Sequence, residues 1–181
     1  PYVGVIGTLH REEEIKTEIT VPEYLLSKSI ETLLKVHPYE EPVWNIVNLD
    51  NTNPVTGFGI IGELAEPADS LPFLQQVKKT FRCKVVRHTA ICKSQIRKVA
   101  VCGGSGAFLT SAAIAQGADI YITGDYKYHD FFQAENRLIL TDIGHYESEQ
   151  FTKEIFYELV TKKISNFAIQ FSKVETNPIH Y

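Results

Sequence analysis

The chain has 181 residues, a formal charge of −4 and a pI near 5.9, with 44% hydrophobic and 22% charged residues. That balance belongs to a globular protein and excludes disordered, collagen-like and low-complexity scaffolds. The length suffices for one ordinary domain or two small ones, with a core that needs no staples. An acidic chain without a Lys/Arg cluster argues against nucleic acid as the primary ligand.

No apolar run approaches the ~18 residues of a membrane span, and no signal-peptide pattern opens the chain. Cys83, Cys92 and Cys102 are odd in number and form no CxxC pair, which points to reduced thiols in a cytoplasmic protein. The chain starts at Pro1 and contains no Met, which reads as a piece of a longer protein.

Residues 11–21 alternate, with Ile15, Thr17, Ile19 and Val21 on one side, and predict a half-buried strand. Pro22 opens a helix over 23–36 whose apolar positions are Leu25, Leu26, Ile30, Leu33 and Leu34. His37-Pro38 ends it, and Val43–Leu49 predicts a second strand, giving a β-α-β unit. Residues 50–57 are rich in Asn, Asp, Pro and Gly, and place a boundary between domains at 1–53 and 54–181.

Beyond the boundary, strand and helix alternate. Strands are expected at Phe58–Leu64, Val85-Val86, Lys98–Cys102, Asp119–Thr123, Arg137–Thr141 and Phe167–Phe171. Helices are expected from a Ser70 cap to Phe81 (with Leu71, Leu74, Val77 and Lys78 on successive turns), over 107–116 up to Gly117, and over 126–134. A last long helix starts at Gly144 or Ser148 and runs to about Ile164, with Phe151, Ile155, Phe156, Leu159 and Val160 inward. The pattern predicts a three-layer α/β domain with a largely parallel sheet.

In such domains ligands sit at the carboxyl ends of strands. Three strands end in polar loops: Gly103-Gly104-Ser105-Gly106, then Gly124-Asp125 running on to His129, then Asp142-Ile143-Gly144-His145. The Gly103–Gly106 turn could present N–H groups to an anionic part of a substrate, or simply need glycine to turn. It has neither a P-loop Lys nor dinucleotide spacing.

His145 and Glu149 are four apart and leave one face of a helix one turn apart. An imidazole and a carboxylate there suit zinc, manganese or iron, and a surface His–Glu hydrogen bond fits equally well. Glu147 is expected as a surface acid at the helix start. Asp125 and His129 repeat the spacing and are the catalytic candidates, as base, orienter or ligand, with a helix cap as the plainer role for Asp125. Asp142 could act similarly. His37 and His88 have no assignable partner, and His10 and His180 are expected on the surface.

VAVCGGSGAFLTSAAIAQGADIYITGDYKYHDFF (99–132) and LTDIGHYESEQF (140–151) closely resemble the C-terminal half of the NIF-three-like family, also catalogued as GTP cyclohydrolase 1 type 2 homologues. HPYEEP (37–42) and GFGIIGEL (57–64) resemble its longer members, which carry an inserted domain similar to PII and CutA proteins. The resemblance implies a three-layer α/β/α domain preceded by a partial ferredoxin-like unit. It further implies two divalent metals per complete site, in a cleft between two similar domains, and ring-shaped homohexamers. His145 and Glu149 then correspond to the two C-terminal ligands, and Asp125 and His129 fall near the site. The remaining ligands, a His-His pair and an Asp, belong to the family's N-terminal half. This chain has no His-His pair.

Two functions compete. One is a metal-dependent hydrolase of a nucleotide-like or other small substrate, with GTP ring opening the activity in the catalogue name. The other is a non-catalytic, metal-binding, ring-forming regulatory module. The HPYEEP turn reads as a rigid connection fixed by two prolines, with ligand binding as the alternative.

Overall fold

The computed structural model describes residues 4–11, 13–51 and 56–180. The chain divides into two compact units, Pro1–Thr52 and Asn53–Tyr181.

In the first unit a 3-10 turn, Glu23–Leu25, leads into helix α1, Leu26–Val36. Leu26, Ile30 and Leu33 are half-buried along one stripe, whereas Leu25 and Leu34 are exposed. His37 takes an extended backbone before Pro38 and its N–H closes the helix on the Leu33 carbonyl at 2.9 Å. The Tyr39 N–H then donates to His37 Nδ1 at 3.1 Å, which tightens the HPYEEP turn. The two predicted strands do not form. Residues 11, 13–21 and 43–49 carry no ladder, and Ile15, Ile19, Val43 and Val47 are 94%, 72%, 95% and 76% exposed. Alternation specifies a strand only where another strand takes its N–H and C=O groups and a core covers one face. Among the described residues neither condition is met, so a ferredoxin-like half-sheet is absent there.

The second unit is built on five strands in the order β1-β3-β4-β5-β2. They are β1 Ile60–Asp69, β2 Arg87–His88, β3 Gln95–Ser105, β4 Ile120–Gly124 and β5 Ile139–Asp142. The central β3, β4 and β5 are parallel, and both edges, β1 and β2, are antiparallel. Side chains alternate between two cores. Ile96, Ile120, Ile122 and Ile139 meet Phe73, Leu74 and Val77 of helix α2, Ser70–Thr80. Ala100, Cys102, Tyr121 and Leu140 meet Ala113 of helix α3, Thr110–Ala115, together with Tyr126, Ala134 and Leu138. The sheet therefore lies between two helical layers, an α/β fold. Complete burial of each isoleucine stabilises it by about 2–3 kcal/mol.

Several boundaries differ from expectation. Asp69, not Ser70, precedes α2, and the buried Ser70 Oγ donates to the Lys93 carbonyl at 2.5 Å. Phe73 takes the inward place expected of Leu71, which is 58% exposed. The 107–116 segment splits into a 3-10 turn, Ala107–Leu109, and α3, and 126–134 forms a 3-10 segment, Tyr128–Ala134. The last helix is two, α4 His145–Glu149 and α5 Thr152–Lys163. Gln150 separates them, its Nε2 donating to the Phe81 carbonyl at 2.8 Å. Ile155, Phe156 and Leu159 of α5 are exposed, because no element among the described residues covers that face. Residues 167–171 form no strand, and Phe171 stacks on Tyr157 at 4.7 Å instead.

The three cysteines are free thiols. Burial, then the neighbouring Glu147, pushes the Cys83 thiol up from its ordinary 9.0 to about 11. Burial likewise raises Tyr126 from 10.0 to about 12. Both groups ionise later folded than unfolded, so their contribution is complete below pH 9 for Cys83 and pH 10 for Tyr126, and is lost as pH rises through about 11 and about 12 respectively. Urea midpoints should hold up to pH 9 and then fall. At pH 8 folded Cys83 should react with iodoacetamide about 100-fold more slowly than in urea. Equal rates would contradict its burial.

Candidate metal centre

The carboxyl ends of β3, β4 and β5 meet at one edge of the sheet and bring His145, Glu149, Asp125 and Gly104 together. His145 opens α4, and Glu149 stands one turn later on the same face, both about half exposed. Their Nε2 and Oε2 atoms are 3.2 Å apart. Two ligands at about 2.0–2.1 Å from a tetrahedral metal ion stand about 3.3 Å apart. The pair is therefore spaced for an ion bound by both, without moving either side chain far.

The other ring nitrogen of His145, Nδ1, is 2.7 Å from Asp125 Oδ2. This hydrogen bond is the main cause that raises the His145 pKa above its ordinary value. In the neutral ring it places the proton on Nδ1 and turns Nε2, the lone-pair nitrogen, toward Glu149. Asp125 thus lies against the ring nitrogen of His145 that faces away from Glu149. Asp125 has φ 60, a left-handed conformation unusual for a side chain other than glycine.

Gly104 is what lets α4 sit so close. It is a left-handed bulge residue of β3 at φ +62, and a Cβ there would lie 2.5 Å from Glu149 Oε1 and 3.2 Å from His145 Cε1. Its N–H donates to Ser148 Oγ at 2.7 Å, and Ser148 Oγ donates to the His145 carbonyl at 2.7 Å. Thr123 Oγ1 donates to the Gly104 carbonyl at 3.1 Å. The Gly104 N–H is thus spent inside the fold and is not offered to an anion. Gly103 and Ser105 are exposed at the end of β3, and the Gly106 carbonyl accepts from Tyr121 Oη at 2.8 Å.

Three residues behave differently from the sequence reading. Glu147, expected on the surface, is 8% exposed, because two residues past His145 is the opposite side of a helix. Asp142 is 4% exposed and its oxygens are occupied within the fold, so it does not reach the centre. His129 is exposed on the 3-10 segment beside the Tyr128 ring, at 5.3 Å. Among the described residues no hydrogen bond joins it to Asp125 or His145. Arg87, which pairs with Asp142, was not legible as a site residue, since 55 positions separate the two.

The donor set of imidazole, carboxylate and orienting carboxylate fits a divalent transition ion. Among the described residues, however, no group of three or more His, Cys, Asp or Glu side chains is arranged to hold one. His145 and Glu149 alone are two donor side chains, fewer than the four a closed tetrahedral site uses. Among the described residues, no helix is long and apolar enough to cross a membrane.

The chain resembles known proteins along its length. It is 36% identical over 186 residues to a GTP cyclohydrolase 1 type 2 homolog of Staphylococcus epidermidis, covering 100% of this chain and 50% of that protein. A protein of the same name from Halalkalibacterium halodurans is 36% identical over 185 residues, again with 100% and 50% covered. The chain thus spans about half the length of the curated relatives it matches. Among solved structures, a Bacillus cereus protein related to NIF3 superposes with a TM-score of 0.69 at 33% identity, covering 89% of this chain and 45% of that one. A Staphylococcus aureus protein superposes with a TM-score of 0.69 at 27% identity, covering 91% and 55%. The family model for Duf34/NIF3 (NGG1p interacting factor 3) matches residues 8–178, which take in the whole Gly104–Asp125–His145–Glu149 constellation, and the chain belongs to that family.

Proposed function

We propose that His145 and Glu149 are two ligands of a divalent-metal centre in a hydrolase acting on a nucleotide-like or other small substrate. The observation that carries this is the 3.2 Å separation of Nε2 and Oε2, with Asp125 on the far ring nitrogen. A divalent ion held there would polarise the scissile group and lower the pKa of a water molecule toward neutrality. The chain's own part is to fix the two ligands. Asp125 holds the His145 ring in one tautomer, Ser148 ties α4 to β3, and Gly104 leaves room for the Glu149 carboxylate. Full coordination needs donors beyond these two. A cleft between two similar domains, a second metal ion and a ring-shaped homohexamer in the cytoplasm are the arrangement the family resemblance suggests. His129, beside the centre in sequence, remains the candidate to touch substrate.

The test is a panel of nucleotides and phosphoesters offered to the natural polypeptide that carries these residues, with and without Mn²⁺ or Zn²⁺. Metal-stimulated turnover is expected, falling at least ~100-fold in His145→Ala and Glu149→Gln. Metal bound through both residues, with no turnover on any substrate, would favour the non-catalytic, regulatory reading.

A further inference from the structure

We propose that the ion pair between buried Asp142 and half-exposed Arg87 is a positioning device that fixes the orientation of the His145 ring; its effect on metal binding rests on the reading of His145 as a ligand. Asp142 Oδ1 accepts from the Gly144 N–H at 2.9 Å, and Oδ2 accepts from the Tyr126 N–H at 3.0 Å. Gly144 immediately precedes His145, and Tyr126 immediately follows Asp125. One carboxylate therefore ties down the backbone beside each end of the 2.7 Å Asp125–His145 hydrogen bond.

Both tied segments contain a residue at positive φ. Asp125 stands at φ 60 and Gly144 at φ 91. The left-handed conformation is unfavourable for a residue with a side chain, so Asp125 would relax if nothing held it. A carboxylate that is 4% exposed also needs a partner for its charge. Arg87 supplies it from the edge strand β2, whose register sets Arg87 opposite Asp142. Its Nη2 donates to Asp142 Oδ2 and also to the Tyr126 carbonyl, the latter at 2.8 Å. The guanidinium lies 5.4 Å from the centre of the Phe131 ring, on the segment that follows. Asp142 and Arg87 together thus hold the N–H and the carbonyl of Tyr126, the residue that follows Asp125. Neither residue reaches the metal pair, so both act through Asp125 and His145.

The experiment compares wild type with Asp142→Asn, Arg87→Met and Arg87→Lys. Two readouts are needed: the Zn²⁺ dissociation constant, and long-range ¹H–¹⁵N spectra of the metal-free neutral His145 ring, assigned with His145→Ala. Wild type should show the Nδ1-protonated tautomer. Arg87→Met and Asp142→Asn should mix the two tautomers and weaken Zn²⁺ binding 10- to 100-fold. Arg87→Lys, which keeps the charge, should recover most of both. Arg87 is 54% exposed, so its variants stay informative if Asp142→Asn does not fold. A lower melting temperature with tautomer and affinity unchanged would overturn the proposal. Wild-type protein that keeps the Nδ1 tautomer but binds no Zn²⁺ would overturn the metal reading alone, and the tautomers of the variants would still decide the positioning role.

Discussion

Gly104→Ala should fold and lose its metal affinity. The added Cβ would lie 2.5 Å from Glu149 Oε1, which is the far end of a flexible side chain. The carboxylate can swing away at little cost to the fold, but in doing so it leaves the position 3.2 Å from His145 Nε2. The φ of +62 adds strain of roughly 1–2 kcal/mol for a residue with a side chain. We expect a loss of stability of that size and a fall in Zn²⁺ affinity on the order of 100-fold. Thermal melts and calorimetric titration on the same sample separate the two effects. An unchanged dissociation constant would mean that Glu149 does not ligate.

Gly124→Ala should cost stability instead. A Cβ on Gly124 would lie 2.8 Å from the His145 nitrogen and 2.9 Å from the Gly144 carbonyl carbon and oxygen. These are backbone atoms, and the Asp142 carboxylate holds the Gly144 N–H. They cannot rotate out of the way, so β4 and the start of α4 must move apart. Overpacking of this kind costs about 1–3 kcal/mol, and we expect the upper half of that range from a shift in the urea midpoint. A loss below ~0.5 kcal/mol would show that the two loops are looser than their geometry. The pair of glycines thus tests two contacts of one helix, a side chain that can give and a backbone that cannot.

What could be read from the sequence follows from where each signal resides. Helix α2 runs Ser70–Thr80 against an expectation of 70–81, because its apolar spacing and its buried face coincide. The runs at 119–123 and 137–141 became β4 and β5 because they are apolar on both sides, as a strand between two helical layers must be. Residues 11–21, 43–49 and 167–171 have a strand's alternation but no ladder among the described residues, since pairing is a property of two segments. The 144–164 stretch kept its helical spacing while breaking at Gln150, whose side chain turns to the Phe81 carbonyl, 69 residues away. For the candidate centre, the four-residue spacing of His145 and Glu149 was visible locally. That Asp125 would meet His145 rather than His129 was not, because the sheet joins the ends of β4 and β5 across 20 residues. Asp142 was read as a possible site acid, and only its burial assigns it to the backbone instead.

The proposed centre places one divalent ion between His145 Nε2 and Glu149 Oε2. Crystals of the protein soaked in Zn²⁺, with anomalous data collected at the zinc edge, test this most directly. A peak is expected about 2.0–2.2 Å from both His145 Nε2 and Glu149 Oε2, with Asp125 still on Nδ1. A zinc peak elsewhere, or Nε2 and Oε2 of the two residues still in direct contact with no zinc between them in zinc-saturated crystals, would contradict this.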